Sequence, residues 1–228
     1  MNVIDVSQRN AAKVAALACL ISFPFVVYAN FGLRGPLFVS GDIAETVRRI
    51  AAAAPVFRLS VAFDIVYCTG VVVLLAALYV VLSPVNRYLA LLASLGKLVY
   101  AVTAVLMALN FLTIMHIASD AQALAPEPLQ ALVRLHSSAS WDLYYVGLAF
   151  WALSSTVLGW LWLKSRYIPA GLALFGLVSS AWCAFCTFAY IIHPAFSSVV
   201  NLWWFDTPMA LFDITLSFWL LFKGLRNP

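Results

Sequence analysis

The sequence predicts an all-α, polytopic membrane protein with six transmembrane helices and both termini on the cytoplasmic side, N-in and C-in. Three observations carry that expectation. Hydrophobic residues make up 64% of the 228 positions and charged residues only 10%, against roughly 25% charged in a soluble domain. Mean hydropathy is +0.98. The apolar residues also fall into six runs, each long enough to cross a hydrocarbon core of ~30 Å.

With charges so sparse, no stretch can form a sizeable soluble domain, and residues 1–228 read as a single transmembrane domain. The net charge of +4 comes from residues at helix ends, where they orient a membrane protein; it gives no ground for a nucleic-acid partner. The lipid bilayer is the expected partner.

The first span, 14–31, follows Arg9 and Lys13, and Pro24 is expected to kink it. Val27 and Ala29 satisfy the small-residue rule for signal cleavage, so a signal peptide is the rival reading; we expect a retained helix. The connection 32–55 holds Ser40-Gly41-Asp42 as a helix start, then Ile43, Val47 and Ile50 on one face, a short helix expected at the membrane interface. The second span, 56–82, ends at the turn signal Ser83-Pro84. The third is 88–116. Pro126 and Pro128 mark 120–130 as a loop, and 131–140 reads as a polar start to the helix whose span is 141–163. The fifth span, 168–192, is closed by His193-Pro194. An aromatic loop, 197–204, carries Trp203-Trp204 as a headgroup-level pair. The sixth span is 205–222.

Six spans put both termini on one side. That side holds Arg9, Lys13, Arg87, Lys164, Arg166, Lys223 and Arg226, and the other holds Arg34, Arg48, Arg49, Arg58 and Arg134. The seven-to-five bias, concentrated in short connections, predicts cytoplasmic termini and a plasma-membrane location.

The charges left inside the spans are the functional candidates, because an intramembrane charge is costly and should face protein or water. Lys97 lies ten residues from Arg87, and Asp213 ten residues before Lys223, so each is about 15 Å from the same membrane face. Equal depth and opposite sign predict an ion pair, and a structural staple between helices is its simpler account. Asp64 and Asp142 lie about 30 Å from that face, level with the outer boundary, and Arg58, Asn110, His116, His136, His193 and Asp206 fall there or beyond. The expected arrangement is a polar outer vestibule in which Arg58 meets Asp142 or Asp206 and a histidine meets Asp64. Hydrated interface side chains are the simpler account of His116 and His193. Three triplets, Phe63-Asp64-Ile65, Trp141-Asp142-Leu143 and Phe212-Asp213-Ile214, leave a helix-pair repeat open.

Cys183 and Cys186 share one helix surface and invite a redox reading, but an activated thiol pair sits at a helix N-terminus or beside a cation, and these lie mid-helix among aromatics. Cys186 and His193 are about 10 Å apart along a helix, too far to share a zinc ion bound at ~2.0–2.3 Å. No metal is expected. A site built from His116, His136 and His193, or haem ligation by two of them, stays open. Gly171, Ala173, Gly176 and Ser179 give the fifth span a small-residue surface suited to close helix packing.

Pro84-Val85-Asn86-Arg87 followed by Leu89-Ala90-Leu91-Leu92-Ala93, and Ser165-Arg166-Tyr167-Ile168-Pro169, resemble a bacterial integral-membrane family known only as a domain of unknown function. Phe57-Arg58-Leu59 with Asp64, and Trp219-Leu220-Leu221-Phe222-Lys223-Gly224, are similar to the same pattern. The resemblance covers most of the chain and implies a bacterial inner-membrane protein without an assigned activity or cofactor. It also implies a cation at position 97 and a carboxylate at 213, with arginine and glutamate common there; lysine lacks the bidentate fork of arginine.

The expected function is binding or passage of a small molecule through the polar extracytoplasmic vestibule, with Arg58, Asp64, Lys97, Asp142 and Asp213 lining or bracing it. Two alternatives stay open. One is a membrane redox or cofactor-binding enzyme that uses Cys183 and Cys186 or the histidines; the other is an accessory subunit whose protein partner supplies the chemistry.

Overall fold

A computed structural model of the chain describes residues 4–120 and 125–227, and all regular structure among them is helical. Helix α1, Val6–Val27, opens on a reciprocal cap: Asp5 Oδ1 accepts from the Gln8 N–H at 2.7 Å and Gln8 Oε1 accepts from the Asp5 N–H at 3.2 Å. Each side chain satisfies an amide that the first helical turn leaves without a partner. Pro24 lies inside the helix, and four residues later the winding widens into a π-helix, Tyr28–Arg34. The Asn30 side chain donates to the carbonyl of Val26 at 2.8 Å, supporting the backbone where the winding changes. The helical run thus extends past the expected end at 31, and Arg34, expected on a loop, becomes part of it.

After a 3₁₀ turn, Gly35–Leu37, Asp42 caps α2, Ile43–Ala52, by accepting from the Glu45 N–H at 2.9 Å. The helix is where its sequence predicted. Its apolar face differs from expectation, because Val47 and Ile50 are buried against protein. Helix α3, Ala54–Leu82, ends at the Ser83-Pro84 turn, and Asn86 accepts from the Leu89 N–H at 3.1 Å to start α4, Arg87–Ser119.

The expected loop over 120–130 lies outside the described residues at 121–124, and Pro126 already begins α5, Pro126–Ser165. Proline suits that place, since its missing N–H is one the first turn cannot use. At 40 residues α5 is about 60 Å long, twice the hydrocarbon thickness, so its polar first turns extend beyond the apolar span. Arg166, at φ 58°, takes the left-handed conformation that stops the helix. Helix α6, Ala170–Ile192, is followed by a 3₁₀ turn, Pro194–Ser198. Asn201 then accepts from the Trp203 N–H at 3.0 Å and starts α7, Leu202–Phe222, three residues before the expected 205.

Six helical runs among the described residues are long and apolar enough to cross a membrane, which makes this a multi-pass membrane protein in contact with the lipid bilayer. Helix α4 shows how the sequence divides its faces. Leu91, Leu95, Leu98, Val102, Leu106 and Leu109 are exposed, whereas Ala90, Ala93, Lys97, Ala101 and Ala108 are buried. Both sets recur at spacings of three, four or seven residues, as one side of a helix must.

The described residues form two compact units. Unit one comprises those of Met1–Ile21, Gly70–Ala101 and Tyr145–Pro228; unit two comprises Ser22–Thr69 and Val102–Tyr144. The core of unit one is built on Leu78, Val81, Leu82, Leu161, Trp162, Phe212 and Leu220. Within it α6 and α7 pack closely, and a Cβ added at Gly176 would come within 2.4 Å of the Phe212 ring. In unit two, Val47 and Ile50 of α2 join Phe57, Phe111, Ile114, Leu129 and Val133.

Candidate functional site

Lys97 occupies the alanine-lined face of α4 in unit one. Ala93 and Ala101 stand one turn to either side of it, and these small side chains let neighbouring helices come close. Lys97 is 2% exposed, so its ammonium must find partners in the protein. It donates to Ser155 Oγ at 2.9 Å and lies 3.3 Å from the centroid of the Trp151 ring. Both partners come from α5, where a spacing of four residues puts them on one face.

The indole N–H of Trp151 donates in turn to the carboxylate of Asp213 on α7. The ring therefore carries a cation on its face and an anion at its N–H edge. These contacts reinforce one another, since the anion raises the electron density that attracts the cation. Lys97 and Asp213 line the same cavity of about 20 Å³, with Cys19, Ser155 and Ser217 as its other polar or thiol groups and Leu74, Leu78, Leu158 and Leu216 among its apolar ones.

Lys97 and Asp213 do not form the expected direct ion pair, and each finds Trp151 instead. Counting residues along helices gives depth and leaves lateral separation open, and here an indole ring contacts both groups. Ser155 and Trp151 were not among the expected site residues. One signal was available: Ser155 lies ten residues before Ser165, which puts it at the depth of Lys97.

Unit two holds a separate buried pair. Arg34 makes a two-pronged contact with Asp64: Nη1 to Oδ2, and Nη2 to Oδ1 at 3.2 Å. The arginine is held further by Asn30 Oδ1 at 2.9 Å and by the Phe111 ring, 4.0 Å from Cζ. Their side chains are only 3% and 4% exposed. Asp64 thus meets Arg34, in place of the histidine expected. The pairing was missed because Arg34 was expected in the connection 32–55, whereas the helical run continues through it as Tyr28–Arg34.

Arg58 and Asp142 are both exposed, and no ion pair joins them. The three aspartate triplets also sit in unlike settings. Asp64 is buried, Asp142 exposed and Asp213 half-buried, so their common flanking residues do not mark equivalent positions.

Half-buried His136 finds its partner on another helix. Asn110 donates through Nδ2 to His136 O at 2.6 Å and to Ser140 Oγ at 2.8 Å, which leaves Asn110 Oδ1 to accept from His136 Nδ1 at 2.5 Å. This assignment places the histidine proton on Nδ1. His116 and His193 are exposed. Among the described residues no three His, Cys, Asp or Glu side chains are grouped to hold a metal. Cys183 and Cys186 are fully buried free thiols, and Cys183 Sγ lies 4.0 Å from Thr187 Oγ1.

Six apolar spans and a lysine buried among them define a polytopic helical membrane protein. The chain belongs to the family described as Domain of unknown function (DUF4386), whose family model matches residues 14–224. Comparison with curated proteins gives no match, and neither does comparison with solved structures.

Proposed function

We propose that this is a multi-pass protein of the bacterial inner membrane, N-in and C-in, acting as a single transmembrane domain that binds a small polar species and lets it pass. The observation that carries this reading is the cavity shared by Lys97 and Asp213. Two charges of opposite sign border one cavity without being joined. A purely structural pair gains most by closing to contact, whereas a binding site keeps groups available.

Arg58 and Asp142, exposed on unit two, supply the polar extracytoplasmic surface of this reading. Asp64 serves there as the partner of Arg34. The size of the cavity limits what the core admits in this conformation to about one water molecule, which needs ~10–15 Å³.

Stopped-flow light scattering on proteoliposomes, with water, urea and glycerol as the permeants, tests the proposal. The wild-type protein is expected to speed passage of at least one of them over protein-free liposomes, and the Lys97→Met, Asp213→Leu double variant to abolish that gain. A wild-type rate equal to that of bare lipid, or a folded double variant with undiminished passage, overturns it.

A further inference from the structure

The chemistry around the cavity narrows what it can take. Lys97 has three N–H donors, of which one is committed to Ser155 and the Trp151 face takes another. Asp213 has two carboxylate oxygens and receives the Trp151 N–H. Both residues therefore retain hydrogen-bonding capacity beside a space of about 20 Å³. A buried water needs two to four polar partners and about this much room, and Lys97, Asp213 and Ser155 supply them.

The same two charges reject ions. A metal cation entering this space meets the Lys97 ammonium, and a halide or carboxylate meets Asp213. In a low-dielectric interior either encounter is costly. A neutral water is accepted, and the one change of charge that needs no extra volume is the gain or loss of a proton.

We propose that Lys97 and Asp213, bridged by one water in this cavity, form a proton-binding site. The Asp213 carboxylate takes a proton from the bridging water and becomes a carboxylic acid, while that water is re-protonated from a hydronium outside the cavity, which is left as water. The reverse step returns the proton to water, and Lys97 stays an ammonium throughout. The inference rests on the reading of this core as a binding site and names the species that it binds.

The surroundings of Asp213 fit such a role. From α1 it is faced by the Cys19 thiol, from α3 by Leu74 and Leu78, from α4 by Lys97, and from α5 by Ser155 and the Trp151 indole. Helix α6 brings the Cys183 thiol within electrostatic reach, and α7 adds Ser217. Lys97 is the one fixed cation in this set, and no second carboxylate lines the cavity to compete for the proton.

Infrared difference spectroscopy of the full chain in lipid nanodiscs, recorded as the pH is lowered, tests the site. Beside the C=O bands of the other carboxyl groups among the nine Asp and Glu residues, one distinct carboxylic C=O band is expected to appear, to move to lower frequency in D₂O, and to vanish in Asp213→Asn. Asp213→Glu, which keeps a carboxyl group, is expected to restore the band at a changed frequency; this variant decides the matter should Asp213→Asn fail to fold. A titration spectrum identical in wild type and folded Asp213→Asn, or an Asp213→Glu spectrum identical to wild type, overturns the proposal. The readout needs no permeant. A band present without solute passage sinks the transport reading alone, and passage without the band sinks the proton site alone.

Discussion

The ammonium of Lys97 sits 3.3 Å from the ring centroid of Trp151, and the N–H of that indole is bonded to Asp213. One aromatic side chain thus links two charges across the interior of a membrane protein. Trp151→Phe keeps an aromatic face and loses the N–H, whereas Trp151→Leu loses both. Desolvated cation–π contacts contribute ~2 kcal/mol and hydrogen bonds to charged groups ~1.5–3 kcal/mol. Thermal unfolding in mild detergent is expected to rank wild type above Trp151→Phe and Trp151→Phe above Trp151→Leu. Equal stability of Trp151→Phe and wild type would show the N–H contact to be dispensable.

Arg34 and Asp64 form a buried pair in which neither group reaches water. Removing one partner strands the other, at a cost of ~3–5 kcal/mol, while replacing both with apolar residues of similar size is near neutral. Arg34→Met and Asp64→Leu are each expected to be strongly destabilised and the double variant to recover much of the loss. A double-mutant cycle on unfolding free energies measures this, and additive losses would mean that the two side chains act independently. Arg34→Lys should also lose stability, because an ammonium cannot copy the two-pronged grip.

Asn110 is the hub of a small network, giving its amide hydrogens to His136 O and Ser140 Oγ and taking the His136 Nδ1 proton. Asn110→Leu leaves these groups without their partner, at an expected cost of ~1–3 kcal/mol. Nitrogen NMR of labelled His136 checks the tautomer directly: the proton should reside on Nδ1 in the wild-type protein, and this preference should weaken in Asn110→Leu.

Gly176 and Gly171 lie on the same helix and differ in what surrounds them. A Cβ at Gly176 would come 2.4 Å from Phe212, while one at Gly171 meets nothing within 4 Å. Gly176→Ala is expected to destabilise by ~1–3 kcal/mol through overpacking. Gly171→Ala should be neutral or stabilising by up to ~1 kcal/mol, since alanine is the better helix former. Melting temperatures of the two variants should move in different directions, and a matching shift would contradict the close approach of α6 and α7.

Glu45, on α2, is gripped by Arg48 at 2.6 Å and Arg49 at 2.8 Å, and hydrogen bonds from both arginines hold its carboxyl down at about 2. An unfolded glutamate titrates near ~4.3. The contribution of this cluster is therefore fully present above that value and is lost as pH falls through about 2. Carboxyl-carbon NMR should find Glu45 charged through pH ~4, and high salt should weaken the effect because the groups are exposed. A Glu45 midpoint at the ordinary glutamate value would contradict the cluster.

The sequence by itself determined the class of this protein and its six long apolar helices. Long apolar runs have one stable setting, and Pro84 and Pro194 mark the ends of two of them through local backbone chemistry. It also singled out Lys97 and Asp213, since a charge within such a run calls for a partner. Tertiary structure alone decided who that partner is. Helical rise gives depth, but the bearing of a side chain depends on how helices pack and on any change in winding. Hence Trp151 and Ser155 came to Lys97 ahead of Asp213. In the other unit, the helical run continues as a π-helix through Arg34, which the apolar pattern had left on a connection, and so brings it to Asp64.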